Sequence, residues 1–423
     1  MSTLATDRLL KRRNFVLNVF EGGTYISSNG FVAVQTVLPA VIARLGGSNL
    51  EVGAVNVIGF SFLFLPQVFA ARYAESSPWK KPRTIFFGFL QRCVLLVMGI
   101  VLYVWGVRTP AGALTALLLL YALNQTFSGL TTPFWFDFIA KVTPPDWRGR
   151  LVGFRNSAGG AGAFVASLVL TGLLASLKFP DSYALAFVLA SILQLASLVI
   201  QWRVVEAGPS SVAARSSFRE YLQSLRAIAG HRREFTLFIV AMALLILGSM
   251  PVAFFPVYAV RRLQASDWMI GEYTSMMVVV QIGSALLTGV VADRFGNKRA
   301  LLIAGTGLAL ASLTAVLAPS AGSFRFVYLF LGINVGSEVM SRYNMTVDFS
   351  PEHQRSTFVG LVNTILAPLY AVGIMGGWIS DLIGYRAVFL IGFVCALAGV
   401  VMLAFFVSDP RTDVQPQSVR ARG

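Results

Sequence analysis

The stretch AVFLIGFVCALAGVVMLAFFV, residues 387–407, carries no charge along its whole length. About 20 apolar residues in a helix span the roughly 30 Å hydrocarbon layer of a bilayer, and a run of this kind has no comparable home in water. Others recur along the chain, VLLVMGIVLYVWG (94–106) and ALTALLLLYAL (113–123) among them, and most are separated by short loops. Only 13% of the 423 residues are charged. A soluble globular protein is nearer a quarter. The chain therefore reads as an all-α membrane protein that crosses the bilayer many times.

Twelve spans are expected, at 14–43, 50–71, 84–106, 111–140, 151–176, 181–204, 235–260, 268–291, 299–318, 324–349, 356–380 and 386–408. The opening KRRNFVLNVF resembles the basic start of a signal peptide. The apolar run behind it is too long and too polar for one, so a retained first span is expected. With the amino terminus in the cytoplasm, all but seven of the 34 Lys and Arg fall on cytoplasmic segments. The exceptions are Arg44, Arg108, Lys178, Arg261, Arg262, Arg325 and Arg386. This asymmetry is the positive-inside pattern. It accounts for the net charge of +15 without a nucleic-acid partner and places both termini in the cytoplasm. Cys93 and Cys395 lie in apolar spans as packing residues, and no disulfide, metal or cofactor site is expected.

The longest polar interruption, 206–234, contains Phe218, Leu222, Leu225 and Ala229 at helical spacing, opposite Arg219 and Arg226. It reads as a cytoplasmic linker with an amphipathic helix on the membrane surface, joining two six-helix bundles, 1–205 and 235–423. The two halves repeat each other. Shifted by 207 residues, TPPDWRGRLVGFRNS (143–157) lies on SPEHQRSTFVGLVNT (350–364), matching Pro144 with Pro351, Arg148 with Arg355 and Asn156 with Asn363. A parallel duplication of this kind places a binding site near the midplane between the halves.

GVVADRFGNKRALL, residues 289–302, resembles the Gly-x-x-x-Asp-Arg-x-Gly-x-Lys/Arg-Arg loop of the major facilitator superfamily, and GGWISDLIGYRAVFLIGF (376–393) resembles that family's turn between spans eleven and twelve. The resemblance covers essentially the whole chain. It implies twelve transmembrane helices in two pseudo-symmetric bundles, a secondary transporter whose halves rock about a central site, and a cavity lined by spans one, four, seven and ten. In the loop, Gly289 is expected to allow close helix packing and Gly296 a tight turn. Asp293, Arg294, Lys298 and Arg299 are expected to close the cytoplasmic side. Two departures stand out. FAARYAESSPWKKPR (69–83) lacks the Gly-x-x-x-Asp core that the family carries between spans two and three. The fifth span, NSAGGAGAFVASLVLTG, has no proline where drug/proton antiporters have one.

Polar residues within spans fall on stripes. Asn14, Asn18, Glu21, Tyr25, Ser28 and Gln35 share one face of the first span; Asn124, Ser128, Thr131 and Trp135 share one face of the fourth. Asn334, Glu338, Ser341, Arg342 and Met345 share one face of the tenth, and Asn56 and Gln67 one face of the second. The nearly apolar seventh span offers Phe254, Phe255 or Tyr258. Intramembrane ionisable groups are costly and functional by default, so Glu21 is expected to face the gap between the halves and to carry a coupling proton. A structural salt bridge is the alternative. Glu338 and Arg342, one helical turn apart, serve the cavity or simply pair with each other. Asn18, Tyr25, Asn124, Ser128, Trp135 and Asn334 complete the expected substrate- and proton-binding set. Asp137 is expected to pair with Arg155 or Arg148, and Asp348 with Arg355.

The function expected is secondary active transport of a small, amphiphilic organic solute across the cytoplasmic membrane, by a monomer coupled to protons and directed to efflux. The alternatives are uptake of a metabolite, movement of a lipid-like molecule, or a non-transporting assembly factor or sensor. No nucleophile elbow or metal spacing points to an enzyme.

Overall fold

The computed structural model describes residues 2–209, 233–350, 361–363 and 365–409. Helix is the regular structure throughout these residues, arranged as twelve spans. The first six are Ser2–Ser27 continued by Val37–Arg44, Asn49–Glu75, Lys81–Trp105, Pro110–Val142, Pro145–Ser176 and Asp181–Trp202. The seventh runs from Arg233–Gly248 through a tighter turn, Met250–Phe254, into Phe255–Arg261. The eighth to tenth are Asp267–Phe295, Asn297–Leu317 and Ala321–Asp348. The eleventh passes through a turn at Ala367–Ala371 into Val372–Ile383, and the twelfth is Tyr385–Phe405. The amphipathic linker helix around Phe218–Ala229 and the partner Arg355 fall outside the described residues.

Ten of the spans are long and apolar enough to cross a membrane by composition alone; the first and tenth are not among them. These two carry the polar stripes with Glu21 and with Glu338 and Arg342. Local chemistry sets the ends. Pro110 and Pro145 open the fourth and fifth spans, where the missing N–H costs nothing. Ser48 and Glu51 form a reciprocal cap on the second span. Gly296 and Gly384 each join two spans with φ near +91°, a backbone region closed to side-chain-bearing residues. Each lies three residues after an aspartate, Asp293 or Asp381, so the two resembling loops are the same turn made twice.

Packing differs between the two ends of the molecule. At the end bearing 45–48, 262–266 and Gly384, one apolar cluster takes in both halves, from Phe31, Leu102, Leu170 and Phe187 to Phe254, Phe324 and Phe389. Phe254, Phe255 and Tyr258 belong to it, so the expectation that they line the cavity is corrected: they are the inner wall of the seal. Gly53 of the second span and Gly373 of the eleventh let those helices approach so closely that a Cβ on either would strike the other's carbonyl oxygen. At the opposite end, the apolar clusters each stay within one half. The fifth and eighth spans show the same divergence. They touch where Thr171 meets Gly271 and Gly160 meets Ile282, yet further along, Gly153 and Gly289 have open space beside them. Gly289 thus does not serve close packing in this conformation.

Candidate functional site

The sealed end is latched by polar contacts between the halves. Arg44 Nε lies 2.8 Å from Asp267 Oδ1, which also accepts from the Tyr183 hydroxyl at 2.9 Å. Asn49 donates to Asp381 at 2.6 Å and accepts from the Tyr385 hydroxyl at 2.6 Å and from Arg261 at 3.0 Å. Arg261 also donates to the Gly47 carbonyl, and the Thr36 and Thr274 hydroxyls lie 2.7 Å apart.

Beneath this seal lies a cavity of about 360 Å³ between the halves. The first half contributes Val34, Gln35, Asn56, Phe60, Tyr121 and Gln125; the second contributes Met242, Ser249, Asn334, Glu338, Arg342 and Tyr370 among others. The three spans with broken helices, one, seven and eleven, all reach it at or beside their breaks. A helix interruption is tolerated within a membrane where it lines a cavity. The walls are apolar apart from a few polar groups. Arg342 Nε meets Glu338 Oε1 at 3.0 Å, with the side chains 16% and 27% exposed. Arg342 Nη1 donates to the Tyr370 hydroxyl at 3.0 Å. The Tyr370 ring stacks on Phe60 of the other half, centroids 3.5 Å apart and planes at 18°. Asn334 donates to the Ala304 carbonyl, and Gln125 Nε2 to the Gly59 carbonyl and the Tyr121 hydroxyl.

The other expected binding residues lie elsewhere. Glu21 is 2% exposed and pairs with Arg155 Nη1 at 2.6 Å, inside the first bundle. The same guanidinium donates to the Asn18 carbonyl at 2.8 Å and lies 4.9 Å from the centre of the Trp135 ring. Gly22 leaves room for it, since a Cβ there would fall on the Arg155 side chain. Tyr25 accepts from Gln91 and lies beside the buried Arg92, while Asn124 donates to the Gln91 carbonyl. Ser128 accepts through its carbonyl from Thr132. Asn18, Glu21, Tyr25, Asn124, Ser128 and Trp135 do not line the cavity. The expectation that Glu21 faces the gap is therefore corrected. The physical reason is Arg155, ten residues into the fifth helix, which reaches the depth of Glu21 and neutralises it where water does not reach.

The expected charge pairs are redistributed. Asp137 meets Lys80 at 3.2 Å rather than Arg155 or Arg148. Arg148 donates to the Ala140 and Thr143 carbonyls, closing the loop between spans four and five. Asp348 accepts from Asn297 at 2.6 Å. In the loop after the eighth span, Asp293, Arg294 and Arg299 are exposed, Lys298 donates to the Ala404 carbonyl, and Arg299 lies over the Phe295 ring. These contacts stay within the second half.

Reading the sequence alone missed Phe60 and Tyr370. Phe60 lies four residues from Asn56 and seven from Gln67, on the polar face already marked. Tyr370 follows Pro368 at the break in the eleventh span.

The profile of the Major Facilitator Superfamily matches residues 22–374 and, a second time, 237–422. The MFS-type transporter TOXA of Cochliobolus carbonum and the gallate transporter of Pseudomonas putida are each 28% identical over 134 residues, 31% of this chain. The matches span 24% and 30% of those proteins. The multi-drug resistance efflux pump PmrA of Streptococcus pneumoniae is 25% identical over 38% of this chain and 41% of its own. Among solved structures, a mutant of the nucleoside transporter NupG superposes with a TM-score of 0.70 at 14% identity, covering 93% of this chain and 98% of that one. A bacterial homologue of ferroportin in an inward-facing state gives 0.65 at 15% identity, covering 93% and 97%.

Proposed function

The chain belongs to the major facilitator superfamily of membrane transporters, and from that premise we propose that it exports a small amphiphilic organic solute by alternating access, in exchange for protons taken up at Glu338. The observation that carries this reading is the placement of an ion pair on the wall of a cavity shared by both halves and shut at one end. A mostly apolar pocket with few convergent polar groups suits a solute with an apolar body and a polar handle. Of the two members of the pair, only the carboxylate can change charge, because an arginine keeps its proton. Glu338 therefore takes the coupling role expected of Glu21. Export is favoured by the efflux function of PmrA and by the tetracenomycin C resistance and export protein of Streptomyces glaucescens, 25% identical over 37% of this chain. The open end carries Lys80, Lys81, Lys141, Arg148, Lys298 and Arg299, a positive-inside pattern that supports reading this end as cytoplasmic and the latch as lying on the far side of the cytoplasmic membrane.

Proteoliposomes loaded with a pH-sensitive dye and challenged with a panel of amphiphilic solutes test this. Wild-type protein should give a solute-dependent proton flux that Glu338→Gln abolishes. An unchanged flux in that variant, or none with any solute in wild type, overturns the reading.

A further inference from the structure

We infer that the solute this cavity accepts is a planar aromatic ring bearing a hydroxyl group, and that it binds by taking the place now held by the Tyr370 side chain between Phe60 and Arg342. The inference rests on the transport reading of the cavity and names its substrate class.

Three observations converge on it. First, Phe60 and Tyr370 come from opposite halves and lie face to face, with centroids 3.5 Å apart. Aromatic pairs in protein interiors prefer offset or edge-on arrangements. Second, the Tyr370 hydroxyl accepts from Arg342 Nη1 at 3.0 Å, while Arg342 Nε is held by Glu338. Arg342 thereby presents a donor fixed in direction at the edge of the stacked ring. Third, Tyr370 sits in the turn Ala367–Ala371, where the eleventh span departs from regular helix, so its side chain can swing without moving the helix beyond it.

Together these groups form a slot that fits a phenol, and in this conformation the protein fills it with its own. The contact between Phe60 and Tyr370 lies across the boundary that opens when the halves separate. Parting them exposes two aromatic faces and frees one guanidinium donor in an otherwise apolar wall. A flat ring in the place vacated by Tyr370 then recovers the stacking on Phe60, and its hydroxyl recovers the hydrogen bond from Arg342. A saturated ring of the same outline does not recover that stacking, because it is thicker than an aromatic ring and has no π-system. Tyr121 and Gln125, also on the wall, mark where a second polar substituent at the far edge of the ring would be received.

The full-length protein in nanodiscs separates these cases by thermal shift and equilibrium dialysis, using 2,6-dihydroxynaphthalene and its saturated counterpart decahydronaphthalene-2,6-diol. Wild-type protein should bind the aromatic diol about tenfold more tightly, the upper range of an aromatic pair's contribution. Phe60→Leu should bring that ratio close to one. Tyr370→Phe, which removes the competing hydroxyl from Arg342, should keep the preference and tighten the aromatic diol two- to fivefold. Equal binding of the two diols by wild type, a ratio unaffected by Phe60→Leu, or binding of neither overturns the inference. If the solute panel above still drives proton flux through Glu338, the transport reading survives that result; if the diols discriminate but no flux is found, the slot stands and the transport reading falls.

Discussion

A carboxylate costs about 2.5–3.5 kcal/mol to insert into a membrane interior unless a partner receives it, and Glu21 finds Arg155 at 2.6 Å with both side chains under a tenth exposed. Glu338 and Arg342 meet at a similar distance but remain open to the cavity. Substituting Glu21→Gln strands a buried guanidinium, and the expected cost is about 3–5 kcal/mol. This should appear as a marked fall in the apparent Tm of detergent-purified protein, largely restored in the Glu21→Gln/Arg155→Gln double variant. Glu338→Gln should leave the Tm within a few degrees of wild type and remove the proton flux. If Glu21→Gln melts like wild type, the pair is not structural. The sequence marks both acids as equally suspicious, because each lies on a polar stripe. Only the depth of Arg155, set by how the fifth helix packs against the first, tells them apart, and no spacing along one helix contains that information.

The elements most exposed to function are those that break. The first, seventh and eleventh spans interrupt their helices, and each brings the interruption to the cavity. The prolines at 251 and 368 make two of these breaks legible in advance, whereas the break after Ser27 has no proline and is fixed by packing. The latch at the sealed end was not foreseeable either, since its partners, such as Arg44 with Asp267 and Asn49 with Asp381, lie hundreds of residues apart. Asp267→Asn weakens the contacts to Arg44 and Tyr183, at an expected cost to the sealed end of about 1–3 kcal/mol. That amounts to a shift of roughly one to two powers of ten toward the oppositely open state. A single cysteine placed at Ser249, in a Cys93→Ser, Cys395→Ser background, should then react with a membrane-impermeant maleimide at least tenfold faster from the latch side. Unchanged labelling would show that the latch does not hold the seal.

The molecule as a whole is a repeated six-span unit, and that much is written in the 207-residue repeat. Its conformation is not, because both open and closed ends draw on the same stripes and loops. The fifth and eighth helices run in opposite directions and meet at Thr171–Gly271 and Gly160–Ile282. Seven residues beyond the second contact, the same register brings Gly153 opposite Gly289, both bare and unfilled here. Gly289→Trp should therefore fold and melt like wild type while cutting transport at least tenfold, with Ser249→Cys labelled only from the end opposite the latch. Full transport would show that the two helices never close there. The bare positions act as a mould, holding the outline of a shape the protein takes only for part of its cycle. A molecule bulky enough to lodge against them would work as a doorstop, halting traffic without ever entering the chamber where the cargo rides.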